Sequence, residues 1–313
     1  MRGGAPWGVM TRLFGAALGM IALVMVASGV RAQELEPRAY VNTPVGLNFL
    51  IAGYGYLENG VPDDASVPLR DAKVQTHATV FAYVRSLDVW GKSGKFIAIM
   101  PYAWTSGSAT IAEQPRHRDM SGFGDPRFRF SVNLYGAPAL SLKEFADYKQ
   151  DVIVGASLLV STPGGQYDSS RLLNIGTNRW SVRPEVGISK ALGPVTLELA
   201  TGVTLYTDNG NFLGGKTLER DPIYSVEGHL VYTFGRGVWG AVDGTYYTGG
   251  RTTVAGVRGN DRQENVRVGV TLALPVDRRN SIKLYGSVGA YTRTGTDFDA
   301  VGIAWQYLWG GGH

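Results

Sequence analysis

The chain has 313 residues, 44% of them hydrophobic, 18% charged and 43 glycine, with no cysteine and a formal charge of +4. Without cysteine there are no disulfides, thiolate metal sites or cysteine nucleophiles. The 11% aromatic content argues against a disordered glycine-rich chain, and so little charge is poor cover for a soluble enzyme.

Arg2 and Arg12 precede an uncharged apolar run from Leu13 to Val30, which ends in Val30-Arg31-Ala32. A basic start, a short apolar core and small residues at the −3 and −1 positions read as a secretory signal peptide over residues 1–32; Met10 offers an alternative start. Such a run could also just span a bilayer, but the polar Gln33-Glu34-Leu35-Glu36 that follows favours cleavage. Cleavage removes Arg2, Arg12 and Arg31 and no acid, taking the formal charge from +4 to +1. Residues 33–313 then carry no basic cluster that would suit nucleic acid.

Past the leader, segments of about a dozen residues alternate apolar and polar side chains, the period-2 signature of strands. Twelve are predicted: Gly46–Glu58, Lys73–Asp88, Lys95–Ser106, Asp125–Tyr135, Asp151–Thr162, Arg179–Lys190, Val195–Thr207, Ile223–Phe234, Val238–Thr248, Asn265–Pro275, Ser281–Thr292 and Ala300–Trp309. Short turns at Gly91–Gly94, Leu192–Pro194, Gly235–Gly237 and Asp277–Asn280 alternate with long polar loops. Gly136–Gln150 is the one longer segment in a short-turn slot; its Ser141-Leu-Lys-Glu144 has capping-box spacing, which predicts a short helix over Leu142–Tyr148. The layout is that of an all-β, transmembrane, antiparallel up-and-down barrel of twelve strands with one short periplasmic helix. A soluble barrel would alternate too, yet twelve strands enclose too much volume for side chains to fill. Pro101 and Pro184 fall inside predicted strands, where a closed barrel has no free edge, so a bulge or a shifted boundary is expected at each.

Two aromatic girdles are expected at the membrane interfaces. Trp90, Phe96, Phe234, Trp239 and Trp309 fall on the short-turn side, and Trp104, Trp180, Tyr206, Tyr224 and Tyr246 on the long-loop side. If the apolar rows meet lipid, the opposite parity lines the lumen with His77, Arg85, Arg127, Arg129, Arg183, Glu185, Glu198, Glu227, His229, Asp243, Arg267 and Lys283. A charge facing lipid at the midplane costs roughly 2–4 kcal/mol, which supports that parity. Hairpin register about Gly235–Gly237 sets His229 opposite Asp243. These charges read either as salt bridges that stiffen the wall or as a selectivity element with a transverse field. Twelve strands give a backbone diameter of roughly 24 Å, which inward side chains narrow or close. Tyr54, Tyr83, Tyr206, Tyr285 and Tyr291 share the inward parity, either to contact solutes or to fill space.

Enzymatic signals are missing. Four histidines (His77, His117, His229, His313) accompany no Gly-x-Ser-x-Gly elbow, zinc-binding helix or phosphate loop, so neither an enzyme, a cofactor nor a metal site is expected. Asp208-Asn-Gly-Asn211 is more ordinary as an Asx-rich turn than as a cation loop.

Three runs resemble a known family: Gly122-Phe-Gly-Asp-Pro126, Asn133-Leu-Tyr-Gly-Ala-Pro-Ala-Leu140 and Asn174-Ile-Gly-Thr-Asn-Arg-Trp180. They are similar to the outer-membrane transporter proteins named for the meta-pathway of phenol degradation, and the resemblance covers Leu35 to Gly310. It implies an outer-membrane channel associated with the breakdown of aromatic compounds, and carries over no functional residues. One departure is the C-terminus, where Gly-Gly-Gly-His follows Trp309 rather than the chain ending on an aromatic.

The expectation is therefore an exported outer-membrane barrel that passes small, aromatic or hydrophobic molecules passively. Its partners would be the bilayer, the solute and the barrel-assembly machinery. The alternatives are a structural or adhesive barrel with a blocked lumen and, third, an outer-membrane enzyme.

Overall fold

The computed structural model describes residues 36–60, 69–111, 114–171, 173–294 and 297–311; the predicted signal peptide lies outside them. Seventeen strands follow in order: β1 (Leu47–Gly60), β2 (Leu69–Val89), β3 (Lys92–Ile111), β4 (Gln114–Phe123), β5 (Arg127–Tyr135), β6 (Val152–Ser161), β7 (Ser181–Leu192), β8 (Val195–Tyr206), β9 (Asn209–Phe212), β10 (Lys216–Arg220), β11 (Ile223–Gly235), β12 (Val238–Gly249), β13 (Thr252–Val254), β14 (Val257–Arg258), β15 (Gln263–Pro275), β16 (Asn280–Thr292) and β17 (Asp297–Gly310). All pairings are antiparallel; β1 pairs with β17 and with β2, and the β2–β3 pairing closes the ring. Twelve strands complete that ring (β1–β3, β5–β8, β11, β12 and β15–β17), each on a segment whose alternation predicted it. β4 prolongs β5 beyond a break at Gly124–Pro126, since both pair with β3. The remaining four form a separate small sheet from two long loops.

Both prolines sit where a ladder is interrupted. The Pro101 carbonyl accepts from Gly124 N–H at 2.9 Å, so its missing N–H would point to the same side, at the β4/β5 break. Between β7 and β8 the pairing skips Arg183 and Pro184 and resumes in the same register at Glu185. The strands continue through both positions while one neighbouring ladder lapses.

The segment 136–150 lies across the short-turn end. Its helix α1 (Leu142–Phe145) is shorter than predicted, but the capping box forms: Glu144 N–H donates to Ser141 Oγ, and Ser141 N–H to the Glu144 carboxylate. Three of the chain's turns place Trp90-Gly91, Gly193 and Gly235-Arg236-Gly237 at positive φ, which explains the glycines there.

Burial alternates along β5, β6, β7, β11, β12 and β15, apart from the last few residues of most of them, because one face of the single-layer wall meets the interior and the other the surroundings. The outer face carries Phe130, Leu158, Ile188, Leu199, Leu230, Val270 and Ile303, all exposed, as a lipid-facing surface requires.

Candidate functional site: the lumen, the segment inside it and a seam in the wall

On the β5–β15 arc the inward row is polar and interlinked. Arg129 bonds Glu185 at 2.7 Å and Ser157 at 3.2 Å. Arg183 pairs with Glu185 at 3.0 Å and with Glu227, and donates to Ser225 at 3.1 Å. His229 Nδ1 donates to Asp243 Oδ1 at 2.8 Å, in the register that the hairpin predicted, and Thr271 Oγ1 donates to the other carboxylate oxygen at 3.1 Å. Arg127 is buried beside this network. Glu198 accepts from Ser189 Oγ at 3.1 Å, and Lys283 stands half-buried on the inward row of β16.

Two residues predicted for the lumen lie on the outer wall instead. His77 and Arg85 share the exposed row of β2 with Phe81, while Thr76, Ala78, Val80, Ala82, Val84 and Ser86 are buried inside. Arg85 lies eight positions beyond His77, about 26 Å of strand, so each sits at one edge of the apolar band rather than at the midplane. His77 Nδ1 lies 2.6 Å from Tyr54 Oη and its ring 5.0 Å from Tyr56, with no bond to a serine. Arg85 and Tyr83 both donate to Asn48 Oδ1. Tyr54, Tyr83 and Tyr291 therefore face outward too, Tyr291 after a bulge in the β15–β16 ladder; Tyr285 stays on the inward row.

The girdle assignments divide the same way. Trp90, Trp104, Trp180, Tyr224, Phe234, Tyr246 and Trp309 are exposed, and Phe96 stacks on Phe128 outside. Trp239 and Tyr206 are corrections. Trp239 shares parity with Asp243 and is buried inside, under the Arg38 guanidinium. Tyr206 shares parity with Glu198 and packs inward on Ile223 and Tyr247. Parity along the strand, and not nearness to its end, decides the face.

The segment Glu36–Val45, which sequence reasoning left unassigned, runs inside the barrel. Tyr40, Val41, Asn42 and Thr43 are at most 5% exposed. Tyr40 Oη donates to Glu185 at 2.8 Å, Glu36 pairs with Arg129, the Arg38 N–H donates to Glu198, and Lys95 Nζ donates to the Ala39 carbonyl at 2.9 Å. The Tyr40 ring occupies a notch made by two paired glycines: a Cβ on Gly155 or Gly187 would approach it to 2.1 or 2.4 Å. At the short-turn end, Val45 N–H donates to Leu140 O and Asn42 Nδ2 to Pro138 O. The only hint in the sequence was a pair of inward glycines on adjacent strands.

The opposite arc is apolar on its inner face as well. Leu47, Phe49, Ile51, Val80, Val84 and Ile99 pack together with Ile175, which the β6–β7 loop sends inward. That loop is pinned by buried Asp125, whose carboxylate accepts from Gly165 N–H, Thr177 N–H and Thr177 Oγ1 at 2.7–3.0 Å. In the Asp208–Asn211 turn, Asn209 accepts from Asn211 N–H at 3.0 Å, an ordinary Asx arrangement.

A seam interrupts the wall between β16 and β17. Their pairing stops at Ser287↔Ala300, although β16 runs on to Thr292 and β17 begins at Asp297. A cavity of about 510 Å³ opens there, lined by inward Gly269, Ser287 and Ala300, by outward Val242, Val268, Val270, Val288 and Val301, and by Glu58 and Asp299. From inside, Arg267 reaches across it: Nη1 donates to Phe298 O at 2.7 Å, Nη2 to Ser287 Oγ at 2.7 Å, and its guanidinium lies over the Phe298 ring. The arginine thus supplies a hydrogen bond to a carbonyl that the ladder leaves unpaired.

A closed twelve-stranded antiparallel wall with an apolar exterior defines a β-barrel of the outer-membrane type. Residues 58–305 match the family described as "Putative MetA-pathway of phenol degradation", and the chain belongs to that family. Among solved structures, it is similar to an outer-membrane channel from Pseudomonas putida F1, with a TM-score of 0.75 and 19% identity over 88% of this chain and 100% of that one. Fainter likeness extends to the β domain of a Bordetella autotransporter, at TM-score 0.48 and 8% identity over 85% of this chain and 100% of that one. The translocator domain of an autotransporter from Neisseria meningitidis is similar at TM-score 0.47 and 8% identity, over 86% and 90% of the two chains. No curated protein matches.

Proposed function

We propose that the protein is an outer-membrane channel through which small hydrophobic or aromatic molecules pass without an energy source. The observation that carries this reading is the seam: a largely apolar cavity at an unpaired stretch of the wall, with inward Ser287 and Ala300 on one side and outward valines on the other, and with the paired Glu58 and Asp299 in its lining. On the lumen side of the seam, Leu57, Phe298 and Ala300 pack as an apolar cluster, a lining that suits an uncharged solute. Family membership and likeness to a channel fold support the same reading. A hydrophobic solute that reached the lumen would leave sideways once Arg267 released Phe298, rather than pass the Glu36–Val45 segment.

The second reading, a barrel that passes nothing, is favoured by that segment itself, buried and bonded on both arcs. A disulfide tests the two against each other, since the chain has no cysteine of its own. Val288→Cys and Asp299→Cys stand opposite each other if the β16–β17 register were continued past Ser287↔Ala300. In cells whose lipopolysaccharide layer bars hydrophobic solutes, uptake of phenol is expected to fall on oxidation and return on reduction. Unchanged uptake would move the route to the lumen; no uptake above that of channel-free cells would leave the blocked barrel.

A further inference from the structure

The long-loop mouth of the barrel holds cations that the seam route does not use. Arg179, two residues before β7, is 6% exposed, and its Nε and Nη1 are buried without a hydrogen-bond partner. Its guanidinium lies over the Tyr206 ring, 4.9 Å from the centroid; that of Arg220, at the end of β10, lies over the same ring at 5.2 Å. Arg220 spends only its Nε, on the Gly250 carbonyl at 3.2 Å. Arg251, whose carbonyl accepts from Asp221 N–H, has a buried Nε without a partner as well. Tyr206 Oη and Thr204 Oγ1 complete a set of buried polar atoms that nothing else satisfies.

The contrast with the arginines deeper inside is chemical. Arg129 and Arg183 each face two carboxylates, whereas Arg179, Arg220 and Arg251 form no ion pair with any described carboxylate. Burial, and then the like charge of Arg220, push Arg179 down to about 10, with Tyr206, Tyr167 and the more distant Asp208 only partly opposing them. Two guanidinium groups on one ring gain modestly from its quadrupole, far less than an unpaired buried charge costs. Forked donors held together without an ion-paired carboxylate suit an oxyanion, which guanidinium binds through paired hydrogen bonds. Beside them, the buried Ile223 and Tyr247 pack behind the half-buried Tyr206 ring and fix it as the apolar contact for the rest of such a ligand.

We propose that Arg179 and Arg220, with the Tyr206 ring they share, form a binding site at the barrel mouth for a small aromatic carboxylate. As a station on the way in, this site rests on the channel reading; as a binding site it does not. The test is binding by folded protein in detergent, its fold checked by heat-modifiable gel migration, with benzoate, benzyl alcohol and sulfate as probes followed by calorimetry or ligand-observed NMR. Benzoate is expected to bind at least ten-fold more tightly than benzyl alcohol or sulfate, and to weaken at least ten-fold in Arg179→Gln and in Arg220→Gln. Benzoate affinity unchanged in both folded variants would overturn the site. So would benzyl alcohol binding equally, which removes the charge, or sulfate binding equally, which removes the aromatic body. Benzoate binding by a protein that takes up no phenol would sustain the site while removing the channel.

Discussion

Where β1, β2, β3 and β17 meet, the inside of the barrel is packed like the core of a soluble protein; from β5 round to β15 it is a web of carboxylates and guanidinium groups. The outer face is apolar along the middle of both arcs, with His77, Arg85, Glu58 and Asp299 exposed on it on the β1, β2 and β17 side. Alternation therefore identifies a strand on either arc, but it identifies the inside only on the charged one. There, desolvation forbids a carboxylate on the lipid side, so sequence parity settles orientation. On β2 both rows carry apolar residues, and the charges that sequence parity assigned to the lumen, His77 and Arg85, sit at the membrane edges where they cost little. The N-terminal segment joins the two arcs, with Tyr40 on Glu185 and Ser93 Oγ donating to Thr43 O on the other side.

Removing a cation from the charged arc is expected to have the largest effect. Arg183→Ala leaves Glu185 and Glu227 buried without their shared partner, a loss of about 3–5 kcal/mol, read from urea unfolding in lipid vesicles. If stability is unchanged, the lumen is wet enough to screen these groups and the arc is not a packed network. On the apolar arc, Phe49→Ala is expected to cost about 3 kcal/mol in the same assay, because a fully buried ring leaves a cavity.

The difference between faces is sharpened by adjacent residues on β11. Leu230→Lys, exposed near mid-strand, is expected to cost roughly 2 kcal/mol, while His229→Gln beside it, facing in, should alter Asp243 and Thr271 without exposing charge to lipid. Comparable losses at both would contradict the assigned faces. The smallest change expected is Ser141→Ala, about 1 kcal/mol through the α1 cap, detected as faster amide exchange confined to the short-turn end.

The motifs that carried the family resemblance turn out to be connected. Asp125 of Gly122–Pro126 holds Thr177 of Asn174–Trp180, and that second run places Ile175 in the apolar arc. The third run, Asn133–Leu140, receives the N-terminal segment through Pro138 and Leu140. Sequence spacing showed each run but not the contacts between them, which arise only when distant strands close into a ring. The arginines at the mouth were illegible for the same reason: Arg179 and Arg220 precede different strands, with no periodic relation to Tyr206.

What the sequence by itself determined was the twelve-strand ring, its alternation of turns and loops, the capping box and the His229–Asp243 contact. All of these follow from period-2 patterning, turn chemistry or hairpin register, which are local. Closure of the ring decided the rest: which row of β2 looks inward, that Trp239 and Tyr206 leave the girdles, that Glu36–Val45 fills the lumen, and where the β16–β17 ladder lapses. Those features depend on volume and charge brought together from across the barrel, and no stretch of chain carries that information alone.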